Sequence, residues 1–286
     1  MKKLNNQEEN FKTTLFLPSN ERRIGEGGLR TKGSHKKSHE GSPLISIITV
    51  VFNGERYLED TIVSVLSQTY DNIEYLIIDG GSDDGTLDII RKYEGEIDYW
   101  VSEKDDGVYD AMNKGIDLVM GDWVNFINSS DTIEKNGYKL VLDDLLNCSD
   151  KLNAIAFGYS YSIADLQGNL VNKVVTPNLD KKWKMPSSHN SIVYKSNVLK
   201  KHKFDLSFKC ASDFDQLNKI NNSNNIGKNN YVLSKGRADG FIAQNKFQSF
   251  LEYFQICWQS DRKVYAVYWA ARLILVYLNL RFRKFL

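Results

Sequence analysis

Four apolar runs in the first half of this chain stop abruptly at acidic or amide side chains. Leu44 to Phe52 (LISIITVVF) ends at Asn53-Gly54-Glu55. Ile73 to Ile78 ends at Asp79-Gly80-Gly81-Ser82-Asp83-Asp84-Gly85-Thr86. Tyr99 to Ser102 runs into an acidic loop carrying Glu103, Asp105, Asp106 and Gly107, and Trp123 to Ile127 ends at Asn128-Ser129-Ser130-Asp131. Each run is short enough for a buried strand. In open α/β sheets, ligands bind outside the carboxyl ends of the strands. A carboxylate there can hold a hard cation, and the cation can hold a phosphate. Gly80-Gly81 and Gly85 let backbone come close to a ligand. The alternative for Asp131 is a helix cap, since a helix begins within a few residues. Later in the chain Asp213 and Asp215 open the helical run FDQLNKI, where Asp also commonly caps. His189 closes a loop from Trp183 (WKMPSSH) rich in side chains that stack or hydrogen-bond. No GxGxxG follows the first run and no GxxxxGK[ST] occurs, so dinucleotide and P-loop chemistry lack a sequence basis.

The elements that must carry these residues follow from periodicity. Leu58, Ile62, Val65 and Leu66 recur at helical spacing within Tyr57 to Leu66, and Leu87 to Tyr93 reads as a second helix. Val108, Met112, Gly115, Ile116 and Val119 form one side of a third, closed by Gly121-Asp122. The first part is therefore β-α-β-α-β-α-β, which argues for a parallel sheet covered by helices. An amphipathic helix follows from Asn136 to Leu146. Ala154 to Ile163 and Leu170 to Val175, joined by Gln167-Gly168-Asn169, read as a hairpin, and Ser191 to Tyr194 as a brief strand. The second half is thus mixed and partly antiparallel.

The chain has 286 residues, with 37 Lys+Arg against 36 Asp+Glu, a net charge of +1. That gives no support to a nucleic-acid-binding surface, which needs a net basic footprint. The three cysteines, Cys148, Cys210 and Cys257, show no CxxC or metal-ligand spacing and read as core fillers in a reducing compartment. Residues 1–42 are polar, lack periodicity and the apolar core of a signal peptide, and read as a flexible leader; Lys36 and Lys37 there could touch anionic lipid or stay solvated. The organisation expected is this leader, a domain over 43–245 and a helical segment over 246–286. The last stretch, VYAVYWAARLILVYLNLRFRKFL, is aromatic, aliphatic and basic, but its apolar runs are too short to span a bilayer. Arg272, Asn279 and Arg283 would share one helix face, with Arg281 and Lys284 nearby. This suits a helix lying in the interface of the anionic cytoplasmic leaflet, the alternative being a helix packed on the core.

Together, LISIITVVFNGERYLEDTIVSVLSQTYDNIEYLIIDGGSDDGTLDII, DGVYDAMNKGI, GDWVNFINSSD, SSHNSIVYKS and KCASDFD resemble the family 2 glycosyltransferases over roughly Pro43 to Gly240. The resemblance implies an α/β protein of the GT-A (nucleotide-diphospho-sugar transferase) fold. Its central sheet would be mostly parallel and flanked by helices, with a smaller mixed second half. It implies an inverting transfer of a hexosyl or N-acetylhexosaminyl group from a nucleotide diphosphate sugar to an acceptor hydroxyl. The acceptor would be a lipid-linked glycan of a surface polysaccharide, the location the inner face of the cell membrane. By motif position, Phe52, Asn53 and Asp79 fall where the family meets the nucleotide base, and Asp106, Gly107, Asn113 and Lys114 border the nucleotide sugar. Asp131 falls on the last acid of the motif that holds Mg²⁺ or Mn²⁺, Asp213 on the acceptor-activating base, and His189 on a histidine common in one branch. Asp215 is left to solvent or to capping. The chemistry is consistent with these roles. A leaving diphosphate needs charge stabilisation, and a carboxylate can take the acceptor proton. This chain departs from the family in keeping only Asp131 where two or three acids are usual. Two other readings remain open: a sugar-nucleotide-forming nucleotidyltransferase, which would need a Gly-rich basic loop where FNGERYL stands, and a catalytically inactive sugar-nucleotide-binding module.

Overall fold

The structure, a computed structural model, describes residues 14–164, 170–180, 184–221, 225–237, 245–260 and 263–282. Its strands are β1 (Arg23–Gly27), β2 (Ile45–Val51), β3 (Ile73–Asp79), β4 (Tyr99–Glu103), β5 (Trp123–Phe126), β6 (Thr132–Ile133), β7 (Ala154–Ala164), β8 (Leu170–Val175), β9 (Ile192–Lys195) and β10 (Ile226–Arg237). Its helices are α1 (Leu58–Leu66), α2 (Thr86–Lys92), α3 (Val108–Leu118), α4 (Gly137–Leu146), α5 (Ser196–Lys201), α6 (Ser212–Ile220), α7 (Lys246–Gln259) and α8 (Lys263–Phe282). The expected alternation of the first half is present, and the hairpin β7–β8 pairs antiparallel as the spacing suggested. Its turn at 167–169 lies outside the described residues, as do Trp183, Gly240, Arg283 and Lys284.

One sheet runs in the order β1-β4-β3-β2-β5-β9-β7-β10-β6, with β8 on β7. β4, β3, β2 and β5 are parallel neighbours. Every residue of β2 and of β3 is buried, which is why these strands read as unbroken apolar runs: helices cover both faces. β9 then pairs antiparallel with β5 and with β7. The sheet therefore changes character at β5, next to the carboxyl ends of the parallel strands.

Two parts of the expected organisation are corrected. The polar leader is structured from Arg23 on: β1 pairs antiparallel with β4 and closes that edge. Arg30, 2% exposed, forms an ion pair with Glu74, whose carboxylate also accepts hydrogen bonds from Ser46 Oγ and the Met120 N–H. Removing one partner from such a buried pair costs about 3–5 kcal/mol, so this segment belongs to the fold. An edge strand reading RIGEG needs only backbone pairing, which hydrophobic patterning does not report.

The C-terminal segment is also more integrated than expected. Tyr253 on α7 lies between Phe214 of α6 (4.6 Å) and Trp269 of α8 (4.5 Å, stacked). α7 and the inner side of α8 thus share an apolar cluster with α6. The outer side of α8 leaves Val264, Val267 and Ile274 exposed. No helix among the described residues is long and apolar enough to cross a membrane.

Candidate active site

A cavity of about 1240 Å³ opens at the carboxyl ends of β2 and β5 and the start of α3, and extends to α6 and α7. Of the residues singled out in the sequence, Phe52, Asp106, Gly107, Asp131, His189 and Asp213 line it. Asn53, Asp79, Asn113 and Lys114 do not; each is spent on holding the loops that do.

Asp79, at the end of β3, is fully buried. Its Oδ2 accepts from the N–H groups of Gly81 (3.1 Å) and Ser82 (3.0 Å) and from Ser102 Oγ (2.6 Å), and its Oδ1 from Ser82 Oγ. Asn53 adopts a positive φ of 50°. Its N–H donates to Ser82 Oγ (2.8 Å) and its Oδ1 accepts from the Asp83 N–H (3.0 Å), which locks the loop after β2 to the loop after β3. The Asn113 side chain forms a closed pair with the backbone of Phe204, both bonds 2.9 Å. Lys114 pairs with Glu103 (3.1 Å) and Asp110 (3.5 Å). Phe52, 64% exposed, stands at the mouth as a free aromatic face. Gly107 opens α3 at φ 115° with nothing within 4 Å of where a Cβ would sit, so the helix N-terminus is accessible to an anion.

The other wall is different. Asp131 is half-buried, and burial pushes its carboxyl up to about 7, against a hydrogen bond from the Asn190 side chain. Asn190 Oδ1 and Asn128 Oδ1 are buried without partners. Gly236 of β10 backs Asp131: a Cβ there would lie 2.8 Å from Asp131 Oδ1 and 3.0 Å from Tyr159 Cε2. These oxygens are all hard donors. One carboxylate with two amide oxygens nearby fits Mg²⁺ or Mn²⁺, which keep several waters and bind substrate phosphates. Among the described residues no cluster of three or more His, Cys, Asp or Glu is present, so such a cation would depend on the substrate for the rest of its shell.

Asp213 sits in the first turn of α6, 5% exposed. Its Oδ1 accepts from Tyr109 Oη (3.2 Å) and the Phe214 N–H (2.9 Å). Burial raises it to about 6, and those hydrogen bonds only partly oppose the rise. His189 stacks on Phe126 (4.9 Å between centroids) and meets Phe204 edge-on. Its Nδ1 lies 3.3 Å from Tyr194 Oη and its buried Nε2 has no partner. Burial lowers its pKa to about 4, so the ring is neutral at pH 7. Asp215 pairs with Lys219 at 2.6 Å on the side of α6.

Sequence reasoning missed Tyr109, Asn190, Gly236 and Tyr253. Tyr109 and Asn190 lie inside quoted motifs, within two residues of positions already marked. Gly236 and Tyr253 carry no local signal, because their importance comes from what β10 and α7 are folded against.

The glycosyl transferase family 2 pattern matches residues 46–203, more than half of the chain. The chain belongs to that family. An uncharacterised glycosyltransferase of Rickettsia typhi is 28% identical over 242 residues, which is 79% of this chain and 74% of the relative. The putative teichuronic acid biosynthesis glycosyltransferase TuaG of Bacillus subtilis is 33% identical over 138 residues, 46% of this chain and 52% of the relative. The match to an uncharacterised glycosyltransferase of Haemophilus influenzae covers 53% of that protein, so the chain spans about half the length of some family 2 relatives. Among solved structures, TarS of S. aureus superposes with a TM-score of 0.57 at 17% identity, over 81% of this chain and 70% of that one. A mannosyltransferase of Pyrobaculum calidifontis, in complex with GDP-Man and Mn²⁺, gives 0.58 at 16% identity, over 76% and 65%. The GT-A fold expected for family 2 is thereby present. The matched stretch ends before α6, so Asp213 and α7 lie outside it.

Proposed function

We propose that the protein transfers a hexosyl or N-acetylhexosaminyl group, with inversion, from a nucleoside diphosphate sugar to an acceptor hydroxyl. The observation that carries this reading is the presence, in one cavity, of two carboxyls held near neutrality by burial, Asp131 and Asp213. They differ in surroundings, and that difference assigns their roles.

Asp131, with Asn128 and Asn190, would hold the cation. The cation supplies charge neutralisation to the departing diphosphate. Phe52 offers a stacking face to the base, and the open start of α3 at Asp106 and Gly107 offers N–H groups to the donor. Asp79, Asn53, Asn113 and Lys114 act on the donor through the loops they fix. Asp213 is the base: above pH 6 it is ionised and takes the acceptor proton as the new glycosidic bond forms. The Tyr109 hydroxyl and the Phe214 N–H both donate to Oδ1 and so orient the carboxylate, leaving Oδ2 to take the proton. His189, neutral, presents Nε2 to the acceptor side.

The acceptor is a lipid-linked glycan of a surface polysaccharide, worked on at the cytoplasmic face of the membrane. Support comes from the exposed apolar side of α8 and from a relative, TuaG, named for putative teichuronic acid biosynthesis. The test is turnover of a panel of nucleotide sugars with membrane lipid extract and Mg²⁺ or Mn²⁺, read as released nucleoside diphosphate. Metal-dependent consumption of one donor, lost in Asp131→Asn, is expected. Turnover indifferent to metal would remove Asp131 from its role.

A further inference from the structure

We infer that Glu252, on α7, is a positioning residue for the base at Asp213. This rests on the reading of Asp213 given above. Glu252 is 2% exposed. Its Oε1 accepts from the Lys209 N–H (3.0 Å) and from Gln248 Nε2 (2.7 Å). Its Oε2 accepts from the N–H groups of Cys210 (2.8 Å) and Ala211 (2.9 Å). Buried backbone donors require partners, and here one carboxylate supplies them for three consecutive residues. These are the residues that lead into α6, whose first turn carries Asp213. The place where α6 begins is therefore hung on a side chain some forty positions later, in an element outside the family-matched residues 46–203. α7 is itself held by Tyr253 between Phe214 and Trp269. A loop tied this way cannot shift along the cavity wall without breaking several charge-assisted hydrogen bonds together.

The second effect is electrostatic. The groups facing Asp213 are Tyr109 of α3, Tyr194 of β9, Cys210 of the preceding loop, and Tyr253 and Glu252 of α7. Of these, Glu252 brings a carboxylate, and its charge adds to the burial that keeps the proton on Asp213. Glu252 thus bears on both the position and the basicity of the base, the second in addition to the larger effect of burial.

The two effects make Glu252→Gln informative, because the amide keeps the shape, loses the charge and turns a donor toward N–H groups. With the donor that turns over, kcat should fall about 10- to 100-fold, the range expected for sub-ångström to ångström misplacement of a reacting group. The KM for donor should stay within about twofold, since no donor contact is touched. The acid limb of kcat/KM against pH should move below the wild-type value near 6. A lower kcat with an unmoved limb would mean a purely structural side chain and would overturn the proposal, as would a wild-type rate and limb. If Glu252→Gln has no melting transition, Gln248→Leu on the exposed side of α7 carries the test. It should lower kcat about threefold at unchanged donor KM, the loss of one hydrogen bond to the positioning carboxylate; an unchanged kcat overturns. Asp213→Asn is run beside them. If it keeps turnover, the base reading itself fails; if it is dead while Glu252→Gln behaves as wild type, only the positioning role fails.

Discussion

The two walls of the cavity handle their polar groups in opposite ways. On the side built from β2, β3 and the start of α3, polar side chains are satisfied. Asp79 accepts four hydrogen bonds, Asn53 ties two loops together, and Lys114 sits between two carboxylates. On the side built from β5, β9, β10 and the first turn of α6, several are left unmatched or shifted. Asp131 and Asp213 are held up near neutrality, and His189 Nε2, Asn128 Oδ1 and Asn190 Oδ1 lack partners. Leaving buried polar groups unmatched costs stability, and strongly shifted groups gather where chemistry is done. The first wall is a finished mould for a ligand; the second carries the unmatched groups that the proposed donor and cation would complete.

That contrast sets the size and kind of effect expected from each side. Gly236→Ala tests the unfinished wall without replacing a charged group. The added methyl must displace Asp131 or Tyr159, and misplacement on that scale should cost about 10²-fold in metal-dependent turnover, with the melting temperature little changed. Unchanged turnover would mean the position of Asp131 is not critical. Next is the pH dependence of cation binding. With Asp131 near 7 in the free protein, a proton competes with the metal, so Mn²⁺ affinity measured by calorimetry should rise by up to about tenfold per pH unit below 7 and level off above it. A flat profile from pH 5.5 to 8 would separate the cation from Asp131. The smallest catalytic effect belongs to the finished wall. Asp79→Asn turns an amide donor toward N–H groups and should lose about 1–3 kcal/mol of stability, while turnover per folded molecule stays within a few-fold. A large loss of donor binding by well-folded Asp79→Asn would show instead that Asp79 meets the base directly.

The same contrast describes what could be read from the sequence. The finished wall comes from consecutive βα units, so its strands, helices and polar strand ends appear in order along the chain and share one hydrophobic rhythm. Asp79 was legible as a position but not as a fully bonded structural group, because Ser82 and Ser102 reach it only in three dimensions. The unfinished wall is assembled from distant segments. Asp131 and Asp213 were visible as acids at element ends, yet Gly236, Glu252 and Tyr253 act through packing of β10 and α7, and nothing near them in sequence says so. β1 was missed for a related reason, since an edge strand is defined by its neighbour β4 more than by its own RIGEG.

The central claim is that Asp213 is the base and is not needed to bind the donor. The most direct measurement is to compare wild type with Asp213→Asn, using calorimetry for the nucleoside diphosphate in Mn²⁺ and acceptor-dependent release of diphosphate from the donor that turns over. The account predicts nucleotide affinity within about twofold of wild type and a rate lower by about 10²- to 10⁴-fold, the usual worth of a positioned general base. A variant that binds nucleotide and still turns over at the wild-type rate would contradict it.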